Sequence, residues 1–245
     1  MILKVVEDIE DMADLAANHP EEFTMQRRNG FGASDSSILL GVNQWTKLNE
    51  LIEQKNSKEI TPEEIAIGQK PQVRMGNDLE PLVLKKFSDW SGCTTNKPSA
   101  QYRFVDYPQL TINYDGKAIT PDGIIPVECK TVSIFAGKHW GWDKAISNIN
   151  DHPSQDAGIC VTIQDKILKQ AEMIGIPPYY YTQVQQQLMG CDADHAILAA
   201  LYVKDWNMYY FRIDEDEEVQ QAIISKSILA AEQCPHIKEM CDEMF

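Results

Sequence analysis

The stretch ITPDGIIPVECKT, Ile119–Thr131, sets charged groups into an otherwise apolar run. Ile124 to Lys130 suits a β-strand entered through a Pro-Asp-Gly turn. Side chains at i and i+2 share a strand face, so Glu128 and Lys130 point one way. Val127 and Cys129 point the other way, into the core. Asp122, in the turn, is expected to converge with Glu128. Two convergent carboxylates make a hard-oxygen site suited to Mg²⁺ or Mn²⁺. Such an ion polarises a phosphate and lowers the pKa of a bound water. A neighbouring lysine orients that water or stabilises charge developing on phosphorus. The plain alternative is an edge strand with a solvent-facing Glu–Lys pair, which a bare E-x-K tripeptide favours.

The 245-residue chain is 43% hydrophobic and 24% charged, the composition of a globular protein able to bury its own core. Its longest purely apolar run, Ala196–Val203, is far too short to span a membrane. The N-terminal MILKVVEDIEDMADLAANHP is acidic and broken by charge, unlike a signal peptide, so a cytoplasmic location is expected. Six scattered cysteines show no C-x-x-C and no zinc-type spacing, and read as reduced thiols. A net charge of −15 argues against a general electrostatic nucleic-acid binder. The charge is uneven, however. Residues 66–104 hold six basic and three acidic side chains, whereas 205–245 hold ten acidic and three basic. The basic set (Lys70, Arg74, Lys85, Lys86, Lys97, Arg103) leaves room for a local anion-binding groove.

Apolar spacing predicts helices over Ile2–Ala17, Leu48–Lys55 and Asp165–Ile174. GASDSSILLG reads as a short helix capped by Ser34 or Asp35 and stopped by Gly41. Lys58–Gln72 reads as a surface excursion. GNDLEPLVLKKFSDWSG is predicted to be a helix capped at Asn77 or Asp78, with Pro81 in its first turn and Gly92 at its end. Strands are expected at Gln101–Val105, Leu110–Tyr114, Ile124–Lys130, His195–Val203 and Met208–Ile213, with Lys117–Thr120 as a fragment. Pro177 and Pro178 open a helix running to Gly190. The acidic DEDEE run suits the positive end of a last helix. This order gives an α/β or α+β layered domain over residues 1–245. Residues 1–60 form a helical N-terminal part and 214–245 a C-terminal helix region.

Four segments carry a family resemblance, in order: RRNGFGASD (27–35), MGNDLEP (75–81), TPDGIIPVECKT (120–131) and YYTQVQQQL (180–188). P-D-G followed by E-C-K resembles the PD-(D/E)XK nuclease signature. Together the segments resemble the YqaJ-like viral recombinase, or phage lambda exonuclease, family. The resemblance implies a restriction-endonuclease-like core, a mixed central sheet flanked by helices. It implies a metal-dependent 5′-to-3′ exonuclease acting on double-stranded DNA ends, using Mg²⁺ with Mn²⁺ able to substitute. Its partners would be DNA ends, a single-strand annealing protein that takes the 3′ strand, and further copies in a homo-oligomer. One family architecture is a trimeric ring. No membrane is involved.

On the same resemblance, Asp122 and Glu128 ligate metal, the Cys129 backbone carbonyl adds a ligand, and Lys130 handles the attacking water. Glu80 matches a helical glutamate facing the site, against a plain reading as a first-turn acid favoured by the helix dipole. Gln183 stands first in the family's Q-x-Q. It shares a helix face with Gln187, while Gln185 points away. Arg27 aligns with a phosphate-binding arginine, and the adjacent Arg28 stays open for that role. Ser34 supplies a hydroxyl near a helix start, where it could equally be a simple cap. Thr120 is a further phosphate contact and Lys138 a loose one. Segments 58–72 and 149–163 fit the family poorly, which leaves polarity and end preference open. Two other readings are a structure-selective endonuclease on the same core and a non-catalytic recombination adaptor. The intact Glu80, Asp122, Glu128, Lys130 set stands against the adaptor.

Overall fold

The computed structural model describes residues 3–5, 15, 16, 18–155 and 158–244. A five-stranded mixed sheet forms its centre, in the order β3-β6-β7-β8-β9. The strands are β3 (Thr94–Asn96), β6 (Gly116–Thr120), β7 (Gly123–Val132), β8 (His195–Tyr202) and β9 (Asn207–Asp214). β7 and β8 run parallel, and the other neighbours run antiparallel. A parallel pair needs a long crossover. Here it carries helices α6 (Ile163–Ile174) and α7 (Pro178–Leu188). A smaller sheet, β1-β4-β5-β2, comprises β1 (Leu3–Val5), β2 (Phe31–Gly32), β4 (Tyr102–Phe104) and β5 (Leu110–Ile112).

Strand alternation sends the central sheet's side chains into two cores. On one face Ile197, Ala199 and Leu201 of β8 join Val127 and Cys129 of β7. They pack against Val83, Leu84 and Phe87 of the long helix α5 (Pro71–Ser91). On the other face Ala196, Leu198 and Ala200 meet Ile167 of α6, Val184 of α7 and Ile223 of α8 (Glu217–Ala231). Short helices α1 (Pro20–Gln26), α2 (Ser36–Leu39) and α3 (Leu48–Asn56) precede α4 (Pro62–Gly68), and α9 (Pro235–Glu243) closes the described chain. Gly116 lets α5 approach, because a Cβ there would lie 2.4 Å from a Leu84 methyl. No helix among the described residues is long and apolar enough to cross a membrane.

Several local expectations are corrected. Leu3–Val5 is a strand pairing with Tyr102–Phe104, where a helix over Ile2–Ala17 was expected. Residues 2, 6–14 and 17 of that segment lie outside the described residues. The 58–72 excursion contains α4, started by a capping box in which Thr61 and Glu64 bond reciprocally. α5 begins at Pro71, so Pro81 lies in its interior rather than its first turn. The proline removes only the bond to the Asn77 carbonyl, and burial of Val83 and Phe87 one turn later holds the helix together. The acidic run opens α8 rather than the last helix: Asp216 within it accepts from the Val219 N–H as the cap, and α9 follows after Cys234.

Candidate active site

The β6–β7 hairpin fixes the geometry. Its two-residue turn is Pro121–Asp122, and Thr120 pairs with Gly123. The register then runs down to Gly116 opposite Val127. Asp122 is therefore exposed at the hairpin tip, six extended residues or about 20 Å from Glu128. This overturns the expected convergence of Asp122 with Glu128, because an extended strand separates what a compact turn would have joined. Thr120 is at the same tip, its hydroxyl bonded to the Gly123 carbonyl at 2.9 Å. One step past the last pair, the same register sets Asp115 beside Glu128. Asp115 accepts a 2.9 Å bond from the Cys129 N–H.

β6 begins at Gly116, so the half of β7 beyond Val127 has one open edge. A strand residue presents its N–H and C=O to the same side. The Cys129 carbonyl therefore faces this edge, beside Asp115. β3 contributes from the next strand over: Asn96 pairs with Lys117, which brings Lys97 alongside the start of β6. Glu80, from α5 on the opposite layer, reaches the same place and meets Lys97 at 2.5 Å.

Glu128 is buried, yet its carboxylate is fully engaged. Lys130 and the Gln183 amide both contact Oε1. The Gln187 amide donates to Oε2 at 2.6 Å. Gln185 points elsewhere, to the Asp214 carbonyl and Asp216 N–H. Burial pushes the Asp115 carboxyl well above the usual carboxylate range, and the Glu128 and Glu80 charges add to the shift against Lys130. Burial alone would lower the Lys130 ammonium, but the Glu128 and Asp115 charges outweigh it and hold it above its ordinary value. Lys97 follows the same pattern, with Glu80 outweighing burial.

Among the described residues no three such groups stand ready as a closed ion cage. Instead each of Glu128 and Glu80 is closed by a lysine ammonium. The donor chemistry nevertheless suits a hard dication: the Glu128 and Glu80 charges both bear on Asp115, at a strand edge where the Cys129 carbonyl faces out.

The arginine pair divides cleanly. Arg27 is exposed and its guanidinium donates to the Ser34 hydroxyl at 3.2 Å. Arg28 is buried and spends its guanidinium on the Ser57 and Glu59 carbonyls and the Glu64 carboxylate, at 2.7, 3.1 and 2.7 Å. Arg28 is thus a strut, and Arg27 is the one turned outward. Beneath them lies a buried ion pair, Lys55 with Asp35 at 2.8 Å. Lys55 also donates to the Arg27 carbonyl at 2.7 Å, and Asp35 accepts from Gly32 N–H at 3.0 Å. The pair ties both ends of the 27–35 loop together. Gln186 of α7 anchors the same loop through the Phe31 carbonyl at 3.0 Å. Lys138 is exposed in a short turn after β7, and no contact among the described residues brings it to the carboxylates. Arg103 is buried against the Pro108 carbonyl, so it leaves the expected basic groove.

Sequence reasoning missed Asp115 and Lys55, and it put Lys97 in an anion-binding groove rather than against Glu80. Asp115 was findable. A two-residue hairpin loop at Pro121–Asp122 dictates the register, and counting back from Glu128 lands on Asp115. Lys97 and Lys55 carry no local signal, since each depends on pairing with a distant element.

The family model for the YqaJ-like viral recombinase domain matches residues 22–194. The uncharacterised protein YqaJ of Bacillus subtilis (strain 168) is 32% identical over 120 residues, which are 49% of this chain and 36% of that protein. The matched stretch is thus only about a third of that relative's length. The crystal structure of LHK-Exo, an alkaline exonuclease from Laribacter hongkongensis, is similar with a TM-score of 0.51 at 15% identity, covering 92% of this chain and 100% of that one. Its complex with dAMP gives a TM-score of 0.50 at 16% identity, covering 91% and 97%. At such identity the likeness is one of fold, and the mixed sheet between helical layers is the restriction-endonuclease-like core expected of this sequence. The family model covers most of the chain, including the 27–35 loop, Glu80, the β6–β7 hairpin and α7: the chain belongs to the YqaJ-like viral recombinase domain family.

Proposed function

We propose that the chain is a metal-dependent exodeoxyribonuclease that degrades one strand of a DNA duplex from its end, 5′ to 3′. The exposed 3′ strand then serves recombination through a single-strand annealing protein. The observation that carries this reading is the group Glu80, Asp115, Glu128 and Lys130 at the open edge of β7, in a chain of this family. Asp115 takes the acidic position of the motif, and Asp122 is a turn residue.

Asp115, Glu128 and the Cys129 carbonyl would hold a Mg²⁺ or Mn²⁺ ion with Glu80 beside them, and that ion would neutralise phosphate charge and acidify a bound water. Lys130 orients the water for attack on phosphorus and stabilises charge on the phosphoryl oxygens as the P–O bond to the leaving nucleotide breaks. Gln183 and Gln187 clamp Glu128 without adding charge. Arg27 and Ser34 receive the phosphate of the 5′ end, with Lys55 and Asp35 fixing their loop. The uneven charge fits this picture: an acidic protein holds an acidic polymer at one local site.

Digestion of a linear duplex labelled at the 5′ or the 3′ end, with Mg²⁺ and with EDTA, tests the reading. Progressive release of the 5′ label only with Mg²⁺ supports it. No cleavage with either Mg²⁺ or Mn²⁺, or release of the 3′ label first, overturns it.

A further inference from the structure

An aromatic ladder leads from the solvent to Lys130. Trp45 is 66% exposed. Its ring lies 4.8 Å from that of Tyr179. Tyr179 meets Tyr180 edge-on at 4.5 Å, and the Lys130 ammonium sits 5.0 Å over the Tyr180 ring. Trp45 is not on a loose tether. The Asn43 side chain accepts from the backbone N–H groups of Trp45 and Thr46, both at 2.9 Å, and donates to the Ser37 hydroxyl at 2.9 Å. A fixed turn thus holds a large apolar ring out in water, with the rings of Tyr179 and Tyr180 between it and the lysine of the candidate active site. Core packing explains Tyr181, which is buried and bonded to Asp216 at 3.0 Å, but it does not explain Trp45.

We infer that Trp45, backed by Tyr179, is a stacking platform for an unpaired nucleobase next to the cleaved phosphate. Every base offers a π-face, so such a platform is indifferent to sequence. Inside a duplex both faces of a base are covered by its neighbours. A protein ring can therefore stack only on a base that is terminal or drawn out of the stack. The ligand is thus the end nucleotide of the strand being degraded, held with its base on Trp45 while its phosphodiester lies by Lys130. Trp45 acts on binding and register, and chemistry stays with the carboxylates and Lys130. The inference rests on the proposed nuclease reading and adds the form in which the substrate is held.

The test compares two duplexes in Ca²⁺, one with a mispaired 5′-terminal nucleotide and one with an abasic residue at that position, by fluorescence anisotropy. The wild-type chain is expected to bind the base-bearing end about tenfold tighter, the order of one stacked base. Trp45→Ala is expected to erase that ratio, and Trp45→Phe to keep part of it. Trp45 is mostly in solvent, so both variants should unfold at the wild-type temperature. Equal affinity of the wild type for the two ends, or an unchanged ratio in Trp45→Ala, overturns the platform while Mg²⁺-dependent cleavage by the wild type leaves the nuclease reading standing. Absence of cleavage overturns both.

Discussion

Replacing Lys55 by methionine should damage both the fold and the handling of DNA ends. Its ammonium and the Asp35 carboxylate are almost entirely buried, with side-chain exposures of 5% and 9%. Burial holds the Lys55 ammonium below its ordinary value even against the opposing pull of Asp35. Removing one partner of such a pair strands the other charge, which costs about 3–5 kcal/mol. That is a large part of a typical total of about 5–15 kcal/mol. For a chain of this size the melting temperature should fall by roughly 10 °C. In an Asp35→Asn background no charge is stranded, so the same lysine change should cost under about 2 kcal/mol. Urea unfolding of the wild type, the two single variants and the double variant measures this coupling directly. The Arg27 carbonyl also loses its 2.7 Å donor, so surviving Lys55→Met protein should discriminate less between 5′-phosphate and 5′-hydroxyl ends. A cost below about 1 kcal/mol, or the same cost in both backgrounds, would refute the assignment of this pair as the brace of the loop.

Arg27→Ala should shrink the preference for 5′-phosphorylated over 5′-hydroxyl ends more than it lowers the rate at saturating substrate, as steady-state kinetics on the two ends would reveal; equal rates on both ends for the unmodified protein would remove the pocket. Lys130→Ala should lower cleavage by about a hundredfold or more, and should also lower the unfolding midpoint, since the buried Glu128 loses its ammonium and keeps only two amide donors. Lys97→Met should tighten Mn²⁺ binding by up to about fivefold in calorimetry, the scale of a half-exposed ion pair, because Glu80 no longer has to release an ammonium. Weaker Mn²⁺ binding in that variant would mean that Lys97 does not compete at the site.

The layered α/β architecture was legible because it rests on local signals. Proline and glycine punctuate α7 and α5, alternation marks the end of β7, and continuous apolar runs mark β8 and β9. Glu128, Lys130 and the shared face of Gln183 and Gln187 could be read for the same reason, since each follows from the period of its own element. Asp122 misled because Pro-Asp-Gly serves equally as a nuclease motif and as a hairpin turn, and here the turn chemistry holds. The Lys117–Thr120 fragment was the missing clue: taken as a full partner of β7, it would have placed Asp115 rather than Asp122 beside Glu128. Lys97, Lys55 and the strand at Leu3–Val5 were out of reach, since each is defined by a partner far away in sequence. Arg27 and Arg28 could not be separated until the carbonyls at Ser57 and Glu59 were seen to absorb Arg28.

The most direct measurement sets Asp115→Asn against Asp122→Asn, purified side by side and assayed with Mg²⁺ on the same end-labelled linear duplex. Asp115 shares a buried edge with Glu128 and Glu80, whereas Asp122 stands in solvent about 20 Å along the strand. We expect Asp115→Asn to lose about a hundredfold or more of the cleavage rate and Asp122→Asn to stay within about twofold of the wild type. An inactive Asp122→Asn beside an active Asp115→Asn would contradict the site described here.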